Sequence, residues 1–318
     1  MIIFYHGDMD GIVSAHLYFK GRYDNSESLT IKFIEFEYDK EKDILTMPIA
    51  KYIPEEIVFV DCCPNEEILQ YLIKINKNIT ILDHHISKKP LIDAYCKEGL
   101  IDGMSYIGAS GSLITWCWFK FNKDISKIIE FLDIFGISRE NQDRSNVPLS
   151  IKLVNSWDIW NGLYIEAEAY KTYFECQNFK PRDKEINLLL DNNLEIQKAV
   201  INGNMMLNFY HNWGEQYCQR YGYAIQYQDK RIFVLNVGNA NSKIFGERIH
   251  TYDAVMIYCY DGEKYKCSIY SNKEDFDCSI FAEALGGGGH KGAAGFVING
   301  IPDWLRGTKD EKSKSRRE

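Results

Sequence analysis

The chain has 318 residues, 45% hydrophobic and 26% charged, the balance of an ordinary folded protein, which argues against global disorder and against a fibrous or membrane-embedded chain. Lys and Arg number 37 against 45 Asp and Glu, a net charge of −8, so the chain cannot grip a long polyanion by overall charge and any contact with nucleic acid must be local. Nine cysteines, an odd number with no C-x-x-C pair, read as thiols of a reduced cytosolic protein rather than a disulfide scaffold or a zinc module.

No apolar run approaches the ~18–20 residues that a spanning helix needs. The opening MIIFYHGDMDG has no basic n-region, so a cytoplasmic protein without membrane attachment is expected. At roughly 100–200 residues per domain, the length predicts two domains. Three short β-branched-rich runs, at 2–6, 57–61 and 79–83, predict strands buried on both faces of a parallel sheet. Helical patterns at 12–20 and 66–74 lie between them, and this β–α rhythm predicts an open parallel α/β sheet. Helix is predicted again from Ser110 through Leu113, Trp116 and Phe119, over 125–135, and across 184–220. Trp116, Trp118, Trp157 and Trp160 are expected in a core or a domain interface. From Arg231 the pattern turns to strands, in RIFVLNVG, YDAVMIYCY and KYKCSIYS, with a hairpin step at Tyr260-Asp261-Gly262-Glu263. The charged residues 303–318 are expected to be a disordered tail.

The three N-terminal strands all deliver His or Asp to one sheet edge, beyond whose carboxyl ends such folds bind ligands. After the first strand comes His6-Gly7-Asp8-Met9-Asp10-Gly11, in which His6, Asp8 and Asp10 alternate and can converge. Asp8 and Asp10 suit capping of the following helix equally well. Asp61 and Asp83 end the other two strands, and Asp83 is followed by His84 and His85. Buried-type strands ending in carboxylates are costly unless a cation meets them. The mixed carboxylate and imidazole set lacks thiolates at ligand spacing, so a structural zinc site is disfavoured; Mn²⁺ suits the donors, with Mg²⁺, Zn²⁺ or Fe²⁺ less specific choices. Candidate ligands exceed what one ion needs, which points to a pair of ions about 3.5–4 Å apart and to phosphoryl chemistry. The glycine run at 286–289, followed by His290 and Lys291, reads either as a phosphate-facing segment or as a flexible hinge.

These motifs resemble those of the DHH phosphoesterase superfamily, in the branch that carries the DHH-associated C-terminal domain and includes nanoRNase-like oligoribonucleases. The resemblance rests on HGDMDG, the Asp61 of FVDCCP, LDHH at 82–85, the Asp158 of NSWDIW and GGGGHKGAAGF at 286–296, in the family's order across nearly the whole chain. It implies a parallel-sheet metal-binding domain with helices on both faces at 1–185, a helical linker at 186–220, and a smaller α/β substrate-binding domain at 221–302, across a cleft. By this resemblance His6 and Asp8 bind one metal, Asp10, His84 and Asp158 a second, and Asp61 bridges the two. His85 donates to the scissile phosphate, and Asp83 supports the histidines. Gly287, Gly288, Gly289, His290, Lys291 and Tyr270 bind the substrate. Two departures stand out. His6 is only two residues before Asp8, where many members have four, and Tyr270 stands where the family often has an arginine.

The implied activity is hydrolysis of short oligonucleotides to mononucleotides by a hydroxide activated by two divalent ions, Mn²⁺ first, Mg²⁺ or Co²⁺ otherwise. The alternatives are a dinucleotide or cyclic-dinucleotide phosphodiesterase, a 3′-phosphoadenosine-5′-phosphate phosphatase, a polyphosphate or pyrophosphate hydrolase and, of another class, a non-catalytic nucleotide sensor. Short oligonucleotides or dinucleotides are the expected partners, with no stable binding of long DNA, and family analogy implies a homodimer.

Overall fold

The computed structural model describes residues 1–22, 31–38, 40–47 and 56–306. The chain divides into two units, Met1–Met206 and the residues from Leu207 onward.

The first unit opens with β1 (Ile2–His6), α1 (Met9–Arg22), β2 (Lys32–Phe36), β3 (Ile57–Val60), α2 (Glu66–Ile75), β4 (Ile79–Asp83), α3 (Lys89–Lys97) and β5 (Asp102–Ser105). The strands form one five-stranded sheet in the order β2-β1-β3-β4-β5, every pair parallel. This is the expected α/β architecture. β2 and β5 are additions to the sequence reading: both are edge strands, β2 with charged residues interleaved and β5 only four residues long with a glycine, so neither carries the run of apolar residues that marked the centre. Alternate side chains go to opposite faces. Ile3, Tyr5, Val58, Val60 and Leu82 join one core, and Ile2, Phe4, Ile57, Phe59 and Ile81 join the other, which α2 and α3 cover with Ile68, Leu69, Leu72 and Ile92.

Helices α4 (Gly111–Lys120), α5 (Ile125–Phe135), α6 (Arg139–Arg144), α7 (Leu149–Asp158), α8 (Ala167–Gln177), α9 (Lys184–Asp191) and the 29-residue α10 (Asn193–Tyr221) follow. Ile186, Leu189 and Leu190 of α9, with Ile196 and Ala199 of α10, are buried in the first core. The first part of the expected linker therefore belongs to the first unit, because its apolar stripe has a core to bury against. Trp118 is fully buried as expected, but Trp160 is 74% exposed, against the expectation of a core or interface position.

The second unit is a six-stranded mixed sheet in the order β10-β11-β9-β8-β7-β6. Its strands are β6 (Tyr223–Tyr227), β7 (Lys230–Asn236), β8 (Ala254–Tyr260), β9 (Tyr265–Tyr270), β10 (Gly288–His290) and β11 (Ala293–Ile298), with short helices α11 (Arg248–Thr251), α12 (Cys278–Glu283) and α13 (Asp303–Arg306). Only β7 and β8 pair in parallel; the expected β8–β9 hairpin forms, with Tyr260 opposite Tyr265. Residues 303–306 are helical and Leu305 is fully buried, so the chain stays ordered further than a tail beginning at 303 implies; 307–318 lie outside the described residues. No helix among the described residues is long and apolar enough to cross a membrane.

Candidate metal centre

The order 2-1-3-4-5 reverses direction between β1 and β3, and an open parallel sheet binds its ligand at such a switch point, beyond the carboxyl ends of the strands. Register sets the row there. Tyr5 pairs with Val60 and Val60 with Leu82, so the following residues, His6, Asp61 and Asp83, lie side by side. α7 delivers Asp158 as its last residue.

His6 Nδ1 lies 2.8 Å from Asp8 Oδ2 and 3.8 Å from Asp61 Oδ2. His84 Nε2 lies 3.1 Å from Asp61 Oδ1 and 3.4 Å from Asp158 Oδ2. Three sets of ligand atoms fall within 4.8 Å of one another: His6, Asp8 and Asp61; Asp10, His84 and Asp158; Asp61, His84 and His85. Asp61 is common to two of them and turns one oxygen to His6 and the other to His84.

Local structure explains each placement. Asp61 has φ of +58°, a left-handed conformation that Asp tolerates better than most residues but that still costs roughly 1–2 kcal/mol. Its N–H donates to Leu82 O at 2.9 Å, so pairing continues while the strand's alternation breaks. Asp8 caps α1, accepting from Gly11 N–H at 3.0 Å. A Cβ on Gly11 would lie 2.0 Å from His6 O, which accounts for the glycine closing the first motif. Asp10 does not cap its own helix. It is buried and accepts from Gly111 N–H at 2.6 Å and Ser112 N–H at 2.9 Å, at the N-terminus of α4. The small-residue segment at 108–112 thus opens a helix whose positive end faces a carboxylate of the cluster. Only glycine fits at 111, since a Cβ there would stand 2.7 Å from Asp61 Cβ and 3.0 Å from Asp10 Oδ2. Asn155 holds the same turn by accepting from Ser110 N–H at 2.8 Å, one helical turn before Asp158.

Asp83 is fully buried, and its Oδ1 accepts from the backbone N–H of His84 and of His85 and, at 2.6 Å, from His85 Nδ1. It fixes the ring of His85 and only the backbone of His84.

The electrostatics require compensation. Burial, then repulsion from Asp10, Asp8, Asp158 and Asp83, pushes Asp61 far above the usual carboxylate range. Burial, then Asp10 and Asp8, pushes Asp158 up to about 9. Burial is the largest single influence on Asp8 and opposes its ionisation, but the hydrogen bond from His6, the charge of His6 and the Gly11 N–H together outweigh it and hold that group low. Burial keeps His84 below the ordinary imidazole range, whereas hydrogen bonds to Asp8 and Asp83 raise His6 and His85. Asp61 Oδ1 and Asp158 Oδ2 are buried within ion-pair distance of His84, yet neither makes a hydrogen bond of good geometry. A neutral imidazole nitrogen and two orphaned carboxylate oxygens that converge in this way are a donor set for a cation. The residues present therefore fit divalent ions. A cavity of about 40 Å³, lined by Asp8, Asp10, Trp157, Asp158, Lys171 and Glu175 among others, adjoins them and is large enough for an ion or a water. Two larger cavities among the described residues, about 360 and 230 Å³, share no residue with the cluster.

Sequence reasoning missed four neighbours: Tyr38, Lys88, Lys171 and Glu175. Tyr38 follows β2 and sets its ring 6.4 Å from that of His6 and 6.2 Å from that of His85, with Lys88 Nζ 5.1 Å from the ring centre. Recognising β2 would have found Tyr38, because its carboxyl end shares the edge. Lys171 stands 5.2 Å over Trp157 and pairs with Glu175 at 2.6 Å; no local motif marks it.

In the second unit, Gly287, Gly288, Gly289, His290 and Lys291 do not form an open loop. Gly287 N–H donates to Ala282 O at 2.8 Å, and Gly288–His290 is an edge strand paired with β11, so the run offers a phosphate fewer free N–H groups than a loop would. His290 pairs with Ala293 and Ala293 with Tyr270, which puts all three on one sheet face. His290 and Lys291 are exposed and Tyr270 is half-buried.

No protein-family model matches the chain. An uncharacterized protein of Acanthamoeba polyphaga mimivirus, R106, is 25% identical over 96% of this chain and 69% of its own length. RecJ from Thermus thermophilus, solved in complex with Mn²⁺, aligns over 100% of this chain and 52% of its own with a TM-score of 0.52 and 15% identity. The exonuclease RecJ bound to manganese aligns over 100% of this chain and 90% of its own, with a TM-score of 0.52 and 14% identity. The chain shares the fold of these two proteins and spans about half the length of the Thermus one.

Proposed function

We propose that the chain is a metal-dependent phosphodiesterase of the DHH superfamily, acting on short oligonucleotides or dinucleotides. In this reading His6 and Asp8 hold one divalent ion, Asp10, His84 and Asp158 hold a second, and Asp61 serves both. Mn²⁺ is the preferred metal, since the donors are mostly oxygen with some imidazole. Such a pair of ions supplies an acidified water and neutralises charge on a phosphoryl oxygen. The protein's own groups do the rest. Asp10, tied to the α4 N-terminus, and Asp61, held in its left-handed turn, fix the donor positions before substrate arrives. Asp83 accepts from His85 Nδ1–H and favours the imidazolium form, whose Nε2–H donates to the phosphate as charge builds on it. In the second unit Gly287, Gly288, Gly289, His290, Lys291 and Tyr270 are proposed to contact the nucleotide; the small residues opposite the strand keep that face shallow, and His290 and Lys291 add donors.

The observation that carries the reading is Asp61, buried and strained with an oxygen lacking a hydrogen bond, between two ligand sets. A substrate panel with Mn²⁺ tests it: short RNA, short DNA, cyclic dinucleotides, a 3′,5′-bisphosphate nucleotide and polyphosphate. Turnover of di- to penta-nucleotides, abolished in Asp61→Ala, is expected. Tight nucleotide binding without turnover of any substrate by the wild type would overturn it in favour of a sensor.

A further inference from the structure

Trp160 follows Asp158 by two residues and is 74% exposed. Its φ is +52°, in the left-handed region where a bulky residue is a true outlier. It occupies the first position past the C-cap of α7, with its N–H donating to Trp157 O at 3.3 Å, the place where helices most often put glycine. Burial is not what holds a large aromatic side chain there. Its ring centre lies 4.8 Å from that of Trp157, at an interplanar angle of 40°, and Trp157 lines the small cavity beside Asp10 and Asp158. An exposed indole therefore stands one ring beyond the metal centre, on a backbone that would be more stable with glycine.

We propose that Trp160 is a stacking platform for a nucleobase of the substrate, so that the site selects a base-bearing phosphodiester over inorganic polyphosphate. An exposed indole face suits any base, because every base has a π-face, whereas polyphosphate has none. The inference rests on the phosphodiesterase reading and goes further by choosing among its substrates.

The test combines stability with binding. Trp160→Gly removes the ring and relieves the left-handed strain; Trp160→Phe keeps a smaller aromatic face. The probes are a dinucleotide with a non-cleavable methylenephosphonate linkage and tripolyphosphate, each titrated against Mn²⁺-loaded protein by calorimetry. Trp160→Gly is expected to raise Tm by about 2–4 °C, since relief of the strain is worth about one step on that scale. It is expected to weaken the dinucleotide about ten-fold, within the range measured for base–aromatic stacking, and to leave tripolyphosphate binding unchanged. Trp160→Phe should keep most of the dinucleotide affinity, and the dinucleotide should quench tryptophan fluorescence more in the wild type than in Trp160→Phe. A lower Tm in Trp160→Gly together with equal losses for both probes would make Trp160 structural and overturn the proposal. Unchanged dinucleotide affinity would do the same. Failure of the phosphodiesterase reading shows separately, as absence of turnover by the wild type in the substrate panel.

Discussion

Replacing Asp158 by Asn removes a carboxyl group that the fold holds protonated at neutral pH. Burial and the nearby Asp10 and Asp8 push that group from an ordinary 3.8 up to about 9. Its folded-state pKa is raised, so between about pH 4 and pH 9 the native state binds more protons than the unfolded chain. The contribution of this group to metal-free stability therefore falls as pH rises through that window. A third of the shift corresponds to about 2 kcal/mol, at 1.36 kcal/mol per pH unit. In a unit of this size that is roughly 4–8 °C in Tm. Thermal unfolding in EDTA should bring wild type and Asp158→Asn closest together near pH 4, the lower end of that window, where the carboxyl is still largely protonated in the unfolded wild type as well. By pH 8.5 the variant should be the more stable by several degrees. Saturating Mn²⁺ should reverse the order, because the wild type gains a ligand set that the variant lacks. Parallel pH profiles in EDTA, or equal stabilisation of both proteins by Mn²⁺, would refute the claim that the buried carboxyls of the cluster are compensated by bound cations.

Gly111→Ala puts a methyl group 2.7 Å from Asp61 Cβ and against Asp10; overpacking of this kind costs about 1–3 kcal/mol. Calorimetry should show a lower Tm, and titration a weaker affinity for Mn²⁺; a variant indistinguishable from wild type in both would mean that α4 is packed less tightly than described. Asp83→Asn frees the His85 ring, so it should lower kcat about 10–100-fold at unchanged Mn²⁺ content. His85→Gln should cost about 100-fold or more, again without losing metal. Loss of an ion in His85→Gln would instead make His85 a ligand through the set it forms with Asp61 and His84.

The centre of the first sheet was legible because β1, β3 and β4 are short apolar runs with His or Asp at their ends, a pattern that a doubly covered parallel strand dictates on its own. The edges were not. β2 alternates charge with apolar residues, and β5 is brief and holds a glycine. The spacing of His6, Asp8 and Asp10 showed that they could converge, but not that Asp10 would anchor α4, a contact spanning 101 residues of chain that no local signal encodes. Likewise, the glycine run signalled close backbone approach without saying whether a phosphate or a neighbouring strand makes it; β11 does. Trp160 reads from sequence as a core or domain-interface residue, and only its exposure and backbone conformation mark it as something else.

The central claim is that Asp61 joins two cation sites into one. Electron paramagnetic resonance of Mn²⁺-loaded protein, with metal content measured on the same sample, tests it most directly. The account predicts two ions per chain with an exchange-coupled spectrum, and in Asp61→Asn the loss of that coupling with one ion or none retained. A six-line spectrum of isolated Mn²⁺ in the wild type, or coupling that survives in Asp61→Asn, would contradict it.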